Sequence, residues 1–168
     1  MIDRRCAIRL VLATLPAVCL SSTLQAAPQS FTRFFPFLID LQGWTGEKPD
    51  GMSMELPNNN MVTAKREYER GAARLTAQIV IGPAAQGALA VTHTGMKIET
   101  GDSRISTSTI DGLPVTRTFT IKDKSGTILV ALGTSAMFNI SFNGISDDEA
   151  LTLAKKFDWK AMQAAVAK

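Results

Sequence analysis

The feature that most constrains the fold is a run of alternating segments between residues 115 and 143. In the first, Val115, Arg117, Phe119 and Ile121 alternate with Thr116, Thr118, Thr120 and Lys122. Ile128–Leu132 is then continuously apolar, and Met137–Asn143 alternates again. A period of two predicts β-strands, and the short turn-forming segments Asp123–Gly126 and Gly133–Ser135 predict antiparallel connections. We therefore expect a β-meander whose middle strand lies inside a sheet.

Residues 61–81 permit two interpretations. As a helix, Met61, Tyr68, Ala72, Leu75 and Ile79 form one apolar stripe. As a hairpin, residues 61–70 and 73–81 flank Gly71, and the apolar residues of the second half alternate. Glycine in the middle of the segment weakens a helix, so we favour the hairpin.

Two helices are predicted outside the strands. Residues 84–91 form a short Ala-rich segment that follows Pro83, a residue tolerated in the first turn of a helix. Ser146 followed by Glu149 matches a capping box, and Ala150, Leu153 and Phe157 continue it as an apolar stripe. The sequence thus predicts a single α+β domain, in which an antiparallel sheet of five to seven strands packs against a C-terminal helix and a short Ala-rich helix.

Residues 1–27 have the layout of a secretory signal peptide. Arg4, Arg5 and Arg9 give a basic start, an apolar run extends from Ile8 to Leu20, and small residues surround Ala26 and Ala27. That run is too short to span a bilayer, and we expect no transmembrane helix in the mature chain. We expect residues 28–168 to form one exported domain in a Gram-negative periplasm, and the Arg4-Arg5 pair loosely resembles a twin-arginine signal.

Removal of residues 1–27 changes the chemistry that is available to the chain. The segment carries three Arg and one Asp, which leaves 15 basic and 14 acidic residues of the 18 and 15 in the whole chain. This balance does not favour nucleic acid as a partner. Both cysteines, Cys6 and Cys19, leave with the segment, so the mature chain has no thiol and a single imidazole, His93.

The segment from Phe31 to Leu41 is rich in aromatic and aliphatic residues. It either packs across the edge of the core or forms an exposed apolar arm that binds a partner or a membrane surface. Candidate contacts are Phe34, Phe35, Phe37 and the nearby Trp44. Arg117 is a further candidate, since an arginine on an apolar strand face must reach an edge, pair with a carboxylate or bind an anion.

Four residues suggest a copper site. Met52 and Met54 share one face of a predicted strand, and His93 and Met96 are three residues apart. Thioethers and imidazole are suitable ligands for Cu(I), although methionine is also an ordinary core residue.

These observations favour a non-enzymatic periplasmic binding or accessory protein without a cofactor, whose partner is a protein or a small ligand. It would bind through the aromatic segment and the sheet face that no helix covers. A copper-handling protein with Met52, Met54, His93 and Met96 as ligands is the second hypothesis. A hydrolase with a site that the sequence does not reveal is the third hypothesis. The sequence contains no phosphate loop, nucleotide fingerprint or nucleophile elbow that would identify a known class of enzyme.

The signal peptide gives the first testable prediction. Protein recovered from the periplasm of a Gram-negative host should begin at Ala27 or Pro28, as read by intact mass and N-terminal sequencing. Replacing Arg4 and Arg5 by Lys should stop export only if the twin-arginine route is used. Recovery of the chain from the cytosol with Met1 still attached would contradict export.

Overall fold

The computed structural model describes residues 30–57, 59–90, 92 and 95–167. Within these residues the chain forms nine strands: β1 (Thr45–Gly46), β2 (Asp50–Leu56), β3 (Asn59–Arg70), β4 (Ala73–Ile81), β5 (Lys97–Glu99), β6 (Ser103–Ile110), β7 (Leu113–Thr120), β8 (Ser125–Ala131) and β9 (Ala136–Asn143). The helices are a 3-10 helix (Phe31–Phe37), α1 (Pro83–Leu89), α2 (Asp147–Ala154) and α3 (Trp159–Val166).

All the strands belong to one antiparallel sheet, which confirms the predicted α+β class. Their order across the sheet is β1-β3-β4-β9-β8-β7-β6-β5, and β2 pairs with β3 beside β1. The strand number exceeds the expected five to seven, and β1, with two residues, is too short to show an alternating pattern. No helix in the described part of the chain is long and apolar enough to cross a membrane.

Residues 61–81 form the hairpin and not the helix. β3 and β4 pair from Val62 with Ile81 to Arg70 with Ala73, and Gly71 takes a positive φ of 60° in the turn. Such an angle suits glycine because it has no Cβ to clash with the backbone. The side chains of Ala73, Leu75, Ala77 and Ile79 are buried in alternation, as a strand with one covered face requires.

The main core lies on one face of the sheet, called here the inner face. It is formed by alternate residues of β3, β4, β9, β8 and β7, and is covered by the 3-10 helix, α2 and α3. Phe34 from the 3-10 helix and Met162 from α3 are both fully buried in it. The buried residues of α1, Ala85 and Leu89, lie outside this core, and α1 packs on β3, β4 and β9.

Two side chains of β3 attach the N-terminal segment to the sheet. Arg66, whose side chain is 13% exposed, donates to the carbonyl oxygens of Leu38 and Glu47 at 2.8 and 2.7 Å and pairs with Asp40. The hydroxyl of Tyr68 donates to the carbonyl oxygen of Ile39 at 2.7 Å. Since buried polar groups are costly unless they are bonded, these contacts fix the path of the segment over the core.

The ionisation of Tyr68 is directly measurable because the chain has a single tyrosine. Burial raises the pKa of Tyr68 to about 12. The unfolded chain loses this proton near pH 10 and the folded chain retains it, so the stabilisation is complete below pH 10 and is lost as the pH rises toward 12. Absorbance at 295 nm should show a midpoint near pH 12 in the folded protein and near pH 10 in urea.

The same shift predicts a fall of about 2–3 kcal/mol in the free energy of unfolding between pH 10 and 12. Lysines also titrate in this range, so Tyr68→Phe serves as the control and should lack this component. Circular dichroism would follow the fold during the titration. Ionisation of Tyr68 near pH 10 with the native spectrum intact would show that the hydroxyl is not held as described.

Candidate functional site

A groove of about 370 Å³ opens on the inner face beside the start of α2. Its charged lining comes from two places. The strands β5, β6 and β7 contribute Lys97, Glu99, Arg104 and Arg117, and the first turn of α2 contributes Asp147 and Asp148. Cavities of this size accept small ligands.

The groove lies where the sheet extends beyond its helical cover. Arg117 pairs with Ile128 of β8 on one side and with Ser106 of β6 on the other, and Ser106 pairs with Lys97 of β5. Paired residues share a face, so this row changes from buried and apolar at Ile128 to polar at Ser106 and Lys97. Because α2 packs on β8 and β9, the polar end of the row is left open.

Phe119 forms an apolar part of the groove lining. Its ring stacks on Phe142 with centroids 6.1 Å apart, across Gly126 on the strand between them. A Cβ at Gly126 would come within 2.2 Å of the Thr118 carbonyl oxygen and 2.8 Å of the Phe142 ring. The glycine therefore provides the space in which the two rings meet.

The start of α2 is held by a cap and by an arginine. The Ser146 hydroxyl accepts from the Glu149 amide at 3.2 Å, which confirms the predicted cap. Arg117 donates through Nε to Asp147 at 3.2 Å and through Nη2 to the other oxygen of the same carboxylate. Its Nη2 also reaches Asp148 at 3.3 Å.

The Arg117–Asp147 pair is well shielded from solvent, with side chains 21% and 18% exposed, whereas Asp148 is 95% exposed. Burial lowers the pKa of Arg117, but the bonds and charges of Asp147 and Asp148 outweigh this effect and raise it above its usual value. Arg117 therefore remains a cation, and the two acidic residues also lie at the favourable end of the helix dipole.

The sequence left three alternatives for Arg117: reaching a sheet edge, pairing with a carboxylate or binding an anion. In the structure it pairs with a carboxylate. Its forked guanidinium already binds Asp147 with two nitrogens, so an anion that needed the same fork would have to displace that side chain. Arg117 lines the groove and positions the helix start, and is not an open anion-binding site.

The other charges of the groove were not identified from the sequence. Arg104 and Glu99 form a half-exposed pair at 2.9 Å across β6 and β5. Lys97 is exposed and forms no ion pair with any residue that the structure describes. The available signal was the composition of β6, Ser103–Ile110, which is polar on both faces and so indicates a strand without a helical cover.

The aromatic candidates lie mainly in or against the core. Phe34 is fully buried and Trp44 is 9% exposed, while Phe35 and Phe37 are half-buried. The guanidinium of Arg70 lies 4.4 Å from the centre of the Trp44 ring. The segment thus packs across the core edge instead of forming an exposed arm, because the 3-10 helix turns Phe34 onto the sheet.

The described members of the copper set do not come together. Met52 and Met54 are exposed on β2, whereas Met96 directly precedes β5 at the opposite edge of the sheet. With seven strand spacings between β2 and β5, the separation along the sheet is roughly 34 Å. His93 lies outside the described residues. Among the residues that are described, no three His, Cys, Asp or Glu side chains form a cluster suited to a metal ion.

The centre of the opposite, outer face of the sheet is polar, and its side chains are mostly half-buried. One row across β4, β9, β8 and β7 consists of Thr76, Ser141, Thr127 and Thr118. The neighbouring row consists of Gln78, Asn139, Leu129 and Thr116. This is the uncovered face that the sequence suggested as a contact surface, and these two central rows carry no charge.

The shielded ion pair of the groove gives the next prediction. In a double-mutant cycle, Arg117→Gln and Asp147→Asn should show a coupling energy of about 1–2 kcal/mol in urea unfolding, because the pair is desolvated and doubly bonded. The exposed pair Arg104–Glu99 is the matched control, and the cycle of Arg104→Gln and Glu99→Gln should give about 0.2–1 kcal/mol. Equal couplings for the two pairs would show that Arg117 does not anchor α2.

Comparisons with known proteins do not assign a function to the groove. No protein-family model, no curated protein and no solved structure matches the chain. The functional conclusion therefore rests on the residues of the groove and of the sheet.

Proposed function

We propose that the protein is a non-enzymatic binding protein of the periplasm that takes a small zwitterionic ligand, such as a short peptide, in the groove beside α2. The observation that carries the proposal is the distribution of charge in the groove. Two ion pairs are internally satisfied, which leaves the Lys97 ammonium without a described partner and the Asp148 carboxylate almost fully exposed. The unpaired Lys97 and the exposed Asp148, which Arg117 contacts through one nitrogen at 3.3 Å, together favour a ligand that carries both charges.

The balance of the lining supports the same ligand class. Lys97, Arg104 and Arg117 are matched in number by Glu99, Asp147 and Asp148. A purely anionic ligand would meet the field of the carboxylates and a purely cationic ligand that of the basic residues. A zwitterion places its carboxylate near Lys97 and its ammonium near Asp148.

The arrangement of the carboxylates favours binding over acid–base catalysis. Asp147 accepts from Arg117 and Glu99 accepts from Arg104, so an arginine already holds each of these two carboxylates. A general acid or base must instead lie within hydrogen-bond reach of the reacting atom, with an oxygen that is free to exchange its proton. The groove is thus better suited to hold charges in place than to transfer a proton.

Export to the periplasm is part of the proposed binding role. A cleaved N-terminal segment delivers a domain without thiols to a compartment in which disulfides form readily.

A copper role finds no support in the positions of its methionines. Met52 and Met54 lie at one edge of the sheet, and Met96 lies at the opposite edge.

The test uses glycyl-glycine as the probe, with its N-acetylated, C-amidated form as the uncharged comparison. In titrations followed by NMR on labelled protein, glycyl-glycine should shift amides of β5, β6 and the first turn of α2, and the blocked form should not. Lys97→Met and Asp148→Asn should each weaken binding at least about tenfold, since each removes one charge–charge contact.

Lys122→Met is the matched control, because Lys122 is an exposed lysine in the β7–β8 turn outside the groove. Its affinity for glycyl-glycine should equal that of the wild type. The proposal fails if the blocked peptide binds equally well, or if the shifts lie on the outer face of the sheet.

A further inference from the structure

Strand β5 is an edge strand whose sequence is complementary to itself. Among the described residues it pairs with β6 alone, from Lys97 opposite Ser106 to Glu99 opposite Arg104. Its three residues are a cation, an apolar side chain and an anion, in the order Lys97-Ile98-Glu99. When two such strands run antiparallel, each charge lies opposite a charge of the other sign.

The backbone groups of β5 that bond β6 can be assigned from the bonds at its two ends. The Thr107 amide donates to the Met96 carbonyl oxygen, and the Thr100 amide donates to the Ser103 carbonyl oxygen, both at 2.9 Å. Bonded and unbonded positions alternate along an antiparallel pair. Even-numbered residues from Met96 to Thr100 therefore direct their amide and carbonyl groups toward β6.

The odd-numbered residues, Lys97 and Glu99, direct their backbone groups away from the sheet. The other side of β6 agrees with this assignment. There the Ile121 amide donates to the Asp102 carbonyl oxygen, so the even-numbered residues of β6 are the ones that bond β7. At the edge of β5, two amides and two carbonyl oxygens thus bond no residue that the structure describes.

The side chains at this edge are accessible on both faces of the sheet. Ile98 is 41% exposed on the outer face, where it pairs with Ile105 of β6. The side chain of Glu99 is 55% exposed, and only its Oε1 is bonded, by Arg104. Within the described part of the chain, Glu99 Oε2 and the Lys97 ammonium have no partner. A second strand could therefore contact all three side chains of β5.

We infer that β5 pairs antiparallel with β5 of a second copy of this chain, about a two-fold axis at Ile98. This register alone pairs all three residues of the strand. Lys97 lies opposite Glu99 of the second copy, and the two resulting pairs exchange four backbone hydrogen bonds, because their amide and carbonyl groups are the outward ones. Ile98 lies opposite its counterpart in a non-hydrogen-bonded position, where facing Cα atoms are about 4.5 Å apart.

The side chains complement one another in this register. On the inner face, each Lys97 ammonium meets a Glu99 carboxylate, and opposite charges across a strand pair stabilise it. On the outer face, Ile105, Ile98 and their counterparts form one apolar strip. Charges on a short edge strand discourage pairing with most strands. Here the same charges favour one partner, a second copy in the antiparallel direction.

The length of the strand limits the strength of the dimer. Three residues from each copy form an interface smaller than the roughly 1,200 Å² of a stable complex, so we expect a reversible dimer with a micromolar to millimolar dissociation constant. The interface is isologous and closes after two copies. It does not rest on the proposed ligand, and the three N–H donors of Lys97 allow it to bond Glu99 of the second copy and a ligand carboxylate together.

The test is a pair of charge reversals, measured without ligand. Sedimentation velocity between about 10 µM and 1 mM should show the wild type passing from monomer to dimer. Lys97→Glu and Glu99→Lys should each weaken the dimer at least about tenfold, because each opposes like charges at both pairs. An equimolar mixture of the two variants should dimerise again, since every facing pair is then of opposite sign. Lys122→Glu, the same change at an exposed lysine outside β5, should leave the dimer intact.

A second experiment does not depend on the charge variants. With Cys6 and Cys19 replaced by Ala, Ile98→Cys should cross-link to its counterpart under mild oxidation, because facing Cα atoms about 4.5 Å apart lie within disulfide range. Met52→Cys, at an exposed position of the edge strand β2, should not cross-link. A wild type that stays monomeric at 1 mM, a dimer that survives either charge reversal, or a mixture of the folded variants that stays monomeric would overturn the inference.

Discussion

The inner face of this sheet is wider than its helices can cover, and most of the structure follows from that mismatch. An apolar sheet face must be shielded from water, and here the shield consists of a 3-10 helix and two eight-residue α-helices. The cover extends from β2 and β3 over β4 and β9 to β8, and it ends at β7. Beyond it the sheet continues for two more strands, β6 and β5, whose inner residues are charged or hydroxylated except for Ile110, which packs against the core. The groove lies between the covered and the uncovered parts of the inner face.

Three arginines of the sheet attach this cover. Arg66 bonds the segment after the 3-10 helix, Arg70 pairs with Glu149 at 2.5 Å and lies on Trp44, and Arg117 bonds Asp147. Arg66 and Arg70 project from β3 and Arg117 from β7, so the anchors lie on both sides of the buried strands. Each contact is polar and sits at the border of the core, which fixes the position of short helices that packing alone would hold loosely.

The spacing of residues along the sequence predicted the individual strands, turns and caps. The groove depends on contacts between residues far apart in the chain, which spacing does not reveal. The meander, the hairpin around Gly71 and the Ser146 cap could all be read from spacing, because each needs only neighbouring residues. The partner of Arg117 is 30 residues away, and that of Arg66 is 26 residues away in the opposite direction. The groove could not be predicted, because it depends on how many strands lie outside the helices, and no local sequence pattern gives that number. The same limit applies to Phe34 as a candidate contact for a partner, because a cluster of aromatic residues has the same sequence pattern whether it faces the core or solvent.

The cover has one more consequence, which concerns the order in which the chain is made. The 3-10 helix near one end contacts α3 near the other, so the first and last described elements share one core. During synthesis the sheet can assemble strand by strand, but Phe34 and Leu38 have no complete surroundings until Trp159 and Met162 have emerged. Such long-range closure is slow compared with local folding. The core on the inner face is therefore completed only after the residues of α3 have been synthesised, however much of the sheet has formed before.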